Sequence, residues 1–361
     1  MKFAKVMALL LVTLMMASVM FACGQQAAAP GAETKAAAPA ETKQAEAAKP
    51  AEPAKAADKK ITIGLSMDSL ESAFWVANHK AIQDKVKELG INMVEMMAEG
   101  DPNKQNQQME NLISQEVGAI ICAPKDGGAI VAAVKKCQAA KIPVIMDNRP
   151  VQGDVKPDLQ VLSDNYAMAK QALQWFVDKA KKDGKTYKNA LLLIGNLGDE
   201  NAVERKKGHK EIADANKDIV NIVAEVPTEW NHEVALKGMQ NAFQANPKID
   251  LIITPSDFLF PPIKSVLEQT GHWKKRGEAG HIPIVSFDGD ENGCKYMKEG
   301  YNWVDAAQAA DQTGYICVEW AVKMIKGEKP SESVMRDPGI ILTIDNMNEV
   351  GPKVWGWNAA K

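Results

Sequence analysis

From Ile61 to Thr343 the chain repeats one unit: a short apolar run, a polar break, then a segment with apolar residues at helical spacing. The first copy runs Ile61-Thr-Ile-Gly-Leu-Ser-Met-Asp-Ser-Leu-Glu-Ser-Ala-Phe-Trp75 into a segment carrying Phe74, Ala77, Ala81, Ile82, Val86 and Leu89 on one helical face. Strand, loop and helix in constant alternation imply a parallel sheet covered by helices on both faces. In an open sheet of that kind ligands bind beyond the carboxyl ends of the strands. Asp68, Ser69 and Ser72 stand at that place in the first unit, just before Phe74 and Trp75 open its helix.

The later units follow in order. Strands are expected over 92–98, 119–124, 142–149 and 159–165, with helices over 102–116, 128–140 and 166–182. Ala119-Ile-Ile-Cys-Ala-Pro124 is continuously apolar, as a strand buried on both faces must be. A second half restarts at Asn189-Ala-Leu-Leu-Leu-Ile-Gly195 and its loop to Asn201, followed by a helix over 202–215 that carries Arg205. Further strands at 220–226, 251–254, 282–287 and 303–307 end in Trp230, in Ser256 and Asp257, in Asp288, and in Gln308. A helix over 311–326 and a strand over 339–343 close the pattern. Two doubly wound halves with polar residues at their strand ends predict two lobes around a cleft.

Ahead of these units lies a different kind of sequence. Met1-Lys-Phe-Ala-Lys5 is basic, Val6 to Phe21 is almost wholly apolar, and Ala22-Cys23 follows, which is the layout of a secretory signal too short to span a membrane comfortably. Residues 25–60 are nearly all Ala, Pro, Glu, Lys, Gln and Thr, too poor in apolar bulk to bury a core, and are expected to form a tether. The formal net charge of −3, without a basic patch, argues against nucleic-acid binding. Cys122, Cys137, Cys294 and Cys317 show no metal-binding or redox spacing, and the histidines are scattered, so neither metal nor cofactor is expected. Gly195-Asn-Leu-Gly198 lacks dinucleotide-binding spacing, and Asp214 to Asp218 lacks the glycine and closing glutamate of a calcium loop.

Taken in order, Thr62-Ile-Gly-Leu with Phe74-Trp75, Asp101-Pro102, Ile142-Pro-Val-Ile, Ser163-Asp-Asn165, Phe287-Asp-Gly289, and Gln308 with Asp311-Gln312 and Gly314 resemble the sugar-binding proteins of bacterial ABC transporters, of ribose/galactose type. The likeness runs from about residue 61 to 330. It implies a type I periplasmic-binding-protein fold: two similar parallel-sheet lobes joined by a three-segment hinge. The N-terminal lobe would comprise 61–164 plus 309–338, and the C-terminal lobe 165–308 plus 339–361, after a signal over 1–22 and a tether over 23–60. The crossings would lie near Ser163–Asn165, Gln308–Ala310 and Asp337–Gly339. Carried over, Phe74, Trp75 and Trp230 would stack on a sugar. Asp68, Ser72, Asn148, Arg149, Arg205, Ser256, Asp257, Asp288 and Gln308 would clamp its hydroxyls, and Asn201 stands at a position acidic in galactose-type members. Separately, Cys23 directly after Ala22 resembles a bacterial lipoprotein signal, in which Cys23 becomes the lipidated first residue, the alternative being an ordinary signal peptide whose Cys is accidental. The sugar-binding likeness makes the chain a monomer that delivers its ligand to a membrane permease.

Physical chemistry agrees with that pocket. A sugar has C–H faces for aromatic rings and hydroxyls that both donate and accept. Some residues have simpler alternatives: Asp257 and Asp288 as helix caps, the two arginines as surface partners. Adjacent residues on a helix point in different directions, so one of Phe74 and Trp75 is expected to serve the core. Ala123 and Val203 replace an Asn and an Arg usual in the ribose type, and Asn148-Arg149 stands for Asp-Arg, so ribose itself is not the expected cargo. The leading function is therefore capture of a monosaccharide or polyol for import. Alternatives are a sensor presenting sugar to a chemoreceptor or sensor kinase, or a binder of a nucleoside or furanosyl signal. Enzyme chemistry has no motif to support it.

Overall fold

The computed structural model describes residues 60–360. The expected signal, Cys23 and all but the last tether residue lie outside the described residues. The first lobe opens with β1 (Thr62–Met67), α1 (Ala73–Glu88), β2 (Asn92–Met97), α2 (Pro102–Ser114), β3 (Ile120–Ala123), α3 (Val131–Ala139), β4 (Val144–Asn148) and β5 (Leu159–Ser163). The second continues with α4 (Asn165–Lys182), β6 (Tyr187–Ile194), α5 (Glu200–Ala215), β7 (Val220–Pro227), α6 (His232–Ala245), β8 (Leu251–Ile253), α7 (Phe260–Gln269), β9 (Ile284–Asp288), α8 (Glu291–Glu299) and β10 (Asn302–Ala307). The chain then returns through α9 (Ala310–Ile325) and β11 (Val334–Asp337), crosses again to β12 (Ile340–Thr343), and ends beyond α10 (Met347–Val350).

One six-stranded sheet has the order β2-β1-β3-β4-β5-β11 and the other β7-β6-β8-β9-β10-β12. Pairing is parallel throughout except for β12, which runs antiparallel to β10. Each sheet is covered on both faces. Phe74, Ile82, Val318 and Ala321 pack with Ile63 and Leu65 on one side of the first sheet, and Met109, Leu112 and Val134 with Ile120 and Val144 on the other. The second sheet is enclosed in the same way by clusters around Phe176 and around Phe260. All four remaining cysteines are free and buried, behaving as small apolar groups.

Three segments cross between the sheets, at Ser163–Asn165, Gln308–Ala310 and Asp337–Gly339. Asp337 binds them to one another: its carbonyl accepts from the Asp164 amide at 2.9 Å and its Oδ2 from the Ala309 amide at 3.1 Å. Gly339 has φ +66°, and a Cβ there would meet the Ala307 carbonyl oxygen at 2.8 Å, so the third crossing favours glycine. Strand β11 lies in a stretch that carries no strand signal. Ser333-Val-Met-Arg-Asp337 is a sheet edge with its side chains only half-buried, so little apolar patterning is needed there.

The helices at the cleft begin on side-chain caps. Ser72, Asp199, Asn231 and Asp290 accept amide hydrogens from the first turns of α1, α5, α6 and α8. Strand ends, caps and helix N-termini thus converge on one polar crevice.

Candidate functional site

The crevice is a cavity with ≈ 570 Å³ of empty space, part of it open to solvent, lined by both lobes. Every predicted contact residue except Asp257 lines it. From the first lobe come Asp68, Ser72, Phe74, Trp75, Asn148 and Arg149; from the second Asn201, Arg205, Trp230, Ser256 and Asp288; Gln308 sits at a crossing.

The expectation that one of Phe74 and Trp75 serves the core is met by both, which pack in the first-lobe cluster. Both also line the cavity, with ring centroids 5.1 Å apart and planes at 87°. They occupy the first turn of α1, where the helix end rather than one of its sides faces the cleft, so core packing does not remove either from the site. One part of the expectation needs correction. Asp257 points away from the cavity. Ser256 caps the short turn Asp257–Leu259 by accepting from the Phe258 amide at 3.1 Å, which turns Phe258 toward the cavity and Asp257 beneath it. There Asp257 Oδ2 accepts from the Asp290 amide at 2.9 Å, beside Asp305, and burial raises its pKa well above the ordinary carboxylate value. Capping at the next strand likewise falls to Asp290 rather than Asp288.

Each lobe contributes an arginine stacked on an aromatic ring and paired with an aspartate. In the first, the Arg149 guanidinium lies 5.1 Å from the Trp75 ring centre, and its Nη1 donates to Asp68 Oδ2 at 2.8 Å and to the Pro124 carbonyl at 3.1 Å. In the second, Arg205 lies 3.8 Å over Phe287, and its Nη1 donates to the Pro255 carbonyl at 2.7 Å and to Asp288 Oδ1 at 3.3 Å. Arg205 Nε is held by Asn165 Oδ1 at 2.7 Å. Asp288 also accepts from the Ser256 hydroxyl, and from Gln308 Nε2 at 2.6 Å. Burial dominates this pair, lowering the pKa of Arg205 and raising that of Asp288, and each partner's charge opposes the shift of the other. Burial also works against the Arg149 charge, but Asp199 and Asp68 together more than offset it, so that pKa ends above its usual value.

Asp199 is the functional residue the sequence pattern did not single out. Its Oδ2 lies 2.9 Å from Arg149 Nε across the cleft and accepts from Trp230 Nε1 at 3.0 Å, while its Oδ1 caps α5. Asn201 Nδ2 adds two more bridges, to the Asn148 carbonyl at 3.1 Å and to Asn148 Oδ1 at 2.9 Å. The lobes are therefore closed on one another. The available signal was Gly198-Asp199-Glu-Asn at a strand end, a cap signature whose second role needs a partner from the other lobe. Phe258 was masked in the same way by the turn beside it.

Backbone strain gathers at the same place. Asn148, Trp230 and Asp288 have φ of +58°, +53° and +114°, left-handed values rare outside glycine and concentrated at binding sites. Trp230 lies flat on Gly195, where a Cβ would sit 2.1 Å from the indole, so the missing side chain makes room for the ring.

Residues 63–329 match the periplasmic binding protein domain family. The chain belongs to that family. The ribose import binding protein of Salmonella typhimurium is 30% identical over 271 residues, 75% of this chain and 86% of that protein. A xylitol-binding protein of Mycolicibacterium smegmatis is 26% identical over 283 residues, 77% of this chain and 76% of that one. A solved structure from Mycobacterium smegmatis in complex with β-D-fucofuranose superposes with a TM-score of 0.74 at 23% identity, covering 83% of this chain and 97% of its own. The two curated relatives are named for the ribose and the xylitol they bind, and the solved structure shares the fold. Like them, this chain is a solute-binding protein of the periplasmic binding protein family, with its candidate site between two lobes.

Proposed function

We propose that the ligand is a single neutral monosaccharide or polyol, held by the residues that line the cavity and passed to a membrane permease without chemical change. The observation that carries this is the state of the charged groups. Hydrogen bonds and ion pairs already engage Nε and Nη1 of both arginines, leaving each only its Nη2 hydrogens. Asp68 Oδ1 is buried and accepts no hydrogen bond among the described residues. An orphan acceptor beside spare donors calls for a group that both donates and accepts, which is a hydroxyl. A sugar acid brings a carboxylate that cannot donate to Asp68 and finds no arginine whose charge is unmatched, and Lys125 at the same wall already faces Asp68 Oδ2 at 3.8 Å. Phe74, Trp75, Trp230 and Phe258 supply surfaces for the ligand's C–H faces.

The test is a thermal-shift screen of the full chain against D-ribose, D-allose, L-arabinose, myo-inositol, xylitol and D-glucuronate. Ligand at one hundred times Kd stabilises a fold by about 2.7 kcal/mol, a rise of several degrees. A response confined to neutral compounds is expected. A response to glucuronate, with none to the neutral panel, would overturn the ligand class.

The leader and tether support export and anchoring through lipid on Cys23, with the soluble monomer ranging near the membrane. Metabolic labelling with a fatty acid is expected to mark the wild type and not Cys23→Ala. Equal labelling of the two would remove the anchor from the proposal.

A further inference from the structure

The family match ends at residue 329, yet the chain runs on through a segment packed against the back of the binding site. After α10, Val354 and Ala360 join a cluster with Cys294, Met297 and Leu342 of the second lobe. Lys298 fastens the end: its Nζ donates to the Trp357 carbonyl at 2.8 Å and to the Ala360 carbonyl at 2.7 Å, and lies 4.2 Å from the Trp357 ring centre. Gly356 presses on the turn after β9, donating to the Gly289 carbonyl at 3.2 Å, and a Cβ there would lie 2.3 Å from the Asp290 carbonyl carbon.

Between these fixed points stands Trp355. Its Nε1 donates to the Asp288 carbonyl at 3.0 Å, while its ring packs against the first-lobe cluster that contains Phe74, Trp75 and Ala310. Trp355 does not line the cavity. Its hydrogen bond is to the backbone of a residue that does. That backbone is the most unusual in the site, with φ +114°, and its carbonyl is shared with the Gln308 amide at 3.2 Å. A conformation of that kind is strained and persists only where surrounding contacts hold it.

We propose that residues 346–360 form a strap across the hinge, and that Trp355 is a positioning residue for ligand capture. It holds Asp288, and through it Arg205 and Gln308, in the geometry that meets the ligand. Its ring on the first lobe makes that geometry depend on closure. The inference rests on the sugar-capture reading above, and its test is arranged so that either can fail alone.

Trp355→Phe keeps the ring and removes the N–H; Trp357→Phe alters the same strap within the second lobe only. Both are compared with the wild-type full chain by calorimetric titration with whichever compound of the neutral panel gives the largest thermal shift. Deuterium uptake of the segments containing Gly289 and Gln308 is measured without ligand. Trp355→Phe is expected to bind about tenfold more weakly, the loss of one hydrogen bond, with the unfolding temperature of the ligand-free protein little changed. It should also exchange faster at Gly289 and Gln308, whereas Trp357→Phe should shift unfolding temperature without changing affinity. Wild-type affinity and unaltered exchange in Trp355→Phe would overturn the proposal. If no neutral compound binds the wild type, the ligand class falls, and the exchange comparison still decides whether Trp355 positions Asp288.

Discussion

Arg205→Ala is expected to abolish the thermal response to every ligand and to lower the unfolding temperature of the ligand-free protein by about 10 °C. The guanidinium makes bonds to Asn165, to the Pro255 carbonyl and to Asp288, all buried, so its removal orphans two acceptors and leaves Asp288 without its cation. Removing one partner of a buried ion pair typically costs about 3–5 kcal/mol, because the remaining charge is left in a medium that cannot solvate it. Asp288 would keep Ser256 and Gln308 but lose the Arg205 charge that opposes the upward pull of burial on its pKa. It would then meet a ligand hydroxyl in an altered orientation. Differential scanning calorimetry with and without sugar checks both parts. Wild-type stability in the variant would mean that the pair contributes nothing net.

Stability of the ligand-free protein is expected to fall as pH rises from about 4 to about 7. Burial is the leading cause in each of three carboxyls pushed up to about 7: Asp147, Asp290 and Asp305. Asp147 lies with no exposure between Asn78, whose Nδ2 donates to its Oδ1 at 3.3 Å, and Cys317. A group whose folded-state pKa is raised keeps a proton that the unfolded chain has released. Its stabilising contribution is whole below the unfolded pKa near 4 and is lost as pH climbs through about 7. Within that window each such group changes stability by about 1.4 kcal/mol per pH unit. His209 opposes the trend: buried without a hydrogen-bond partner among the described residues, its pKa is pushed down to about 3, so below about 6.5 it favours the unfolded chain. His281 is lowered by burial as well. The carboxyls outnumber the imidazoles, and Asp147→Asn isolates one of them. Urea titrations at pH 5, 6 and 7 are expected to show a slope against pH shallower in the variant by about 1.4 kcal/mol per unit. Parallel slopes would show that Asp147 is ionised in the fold.

The legible part of this protein is the part written in short-range patterns. Apolar runs such as Ala119-Ile-Ile-Cys-Ala and the helical spacing from Phe74 to Leu89 sufficed for the order of strands and helices, because burial of those side chains decides local structure. The rule that ligands gather at strand ends then placed Asp68, Asn148, Arg149, Trp230 and Asp288 at a common cleft. What stayed illegible depends on rotation and on distant partners. A single cap by Ser256 exchanged Asp257 for Phe258 at the cavity wall, a turn of the backbone that composition does not encode. Asp199 reads as a cap until the other lobe brings Arg149 to 2.9 Å. Trp355, beyond the last repeat, has no periodicity to read, and its place behind Asp288 follows from the path of the whole tail. The sequence by itself determined which segments fold and which ends carry polar groups, since those follow from local burial. Only the tertiary structure decided which charges meet, because an ion pair is set by the distance between residues far apart in the chain.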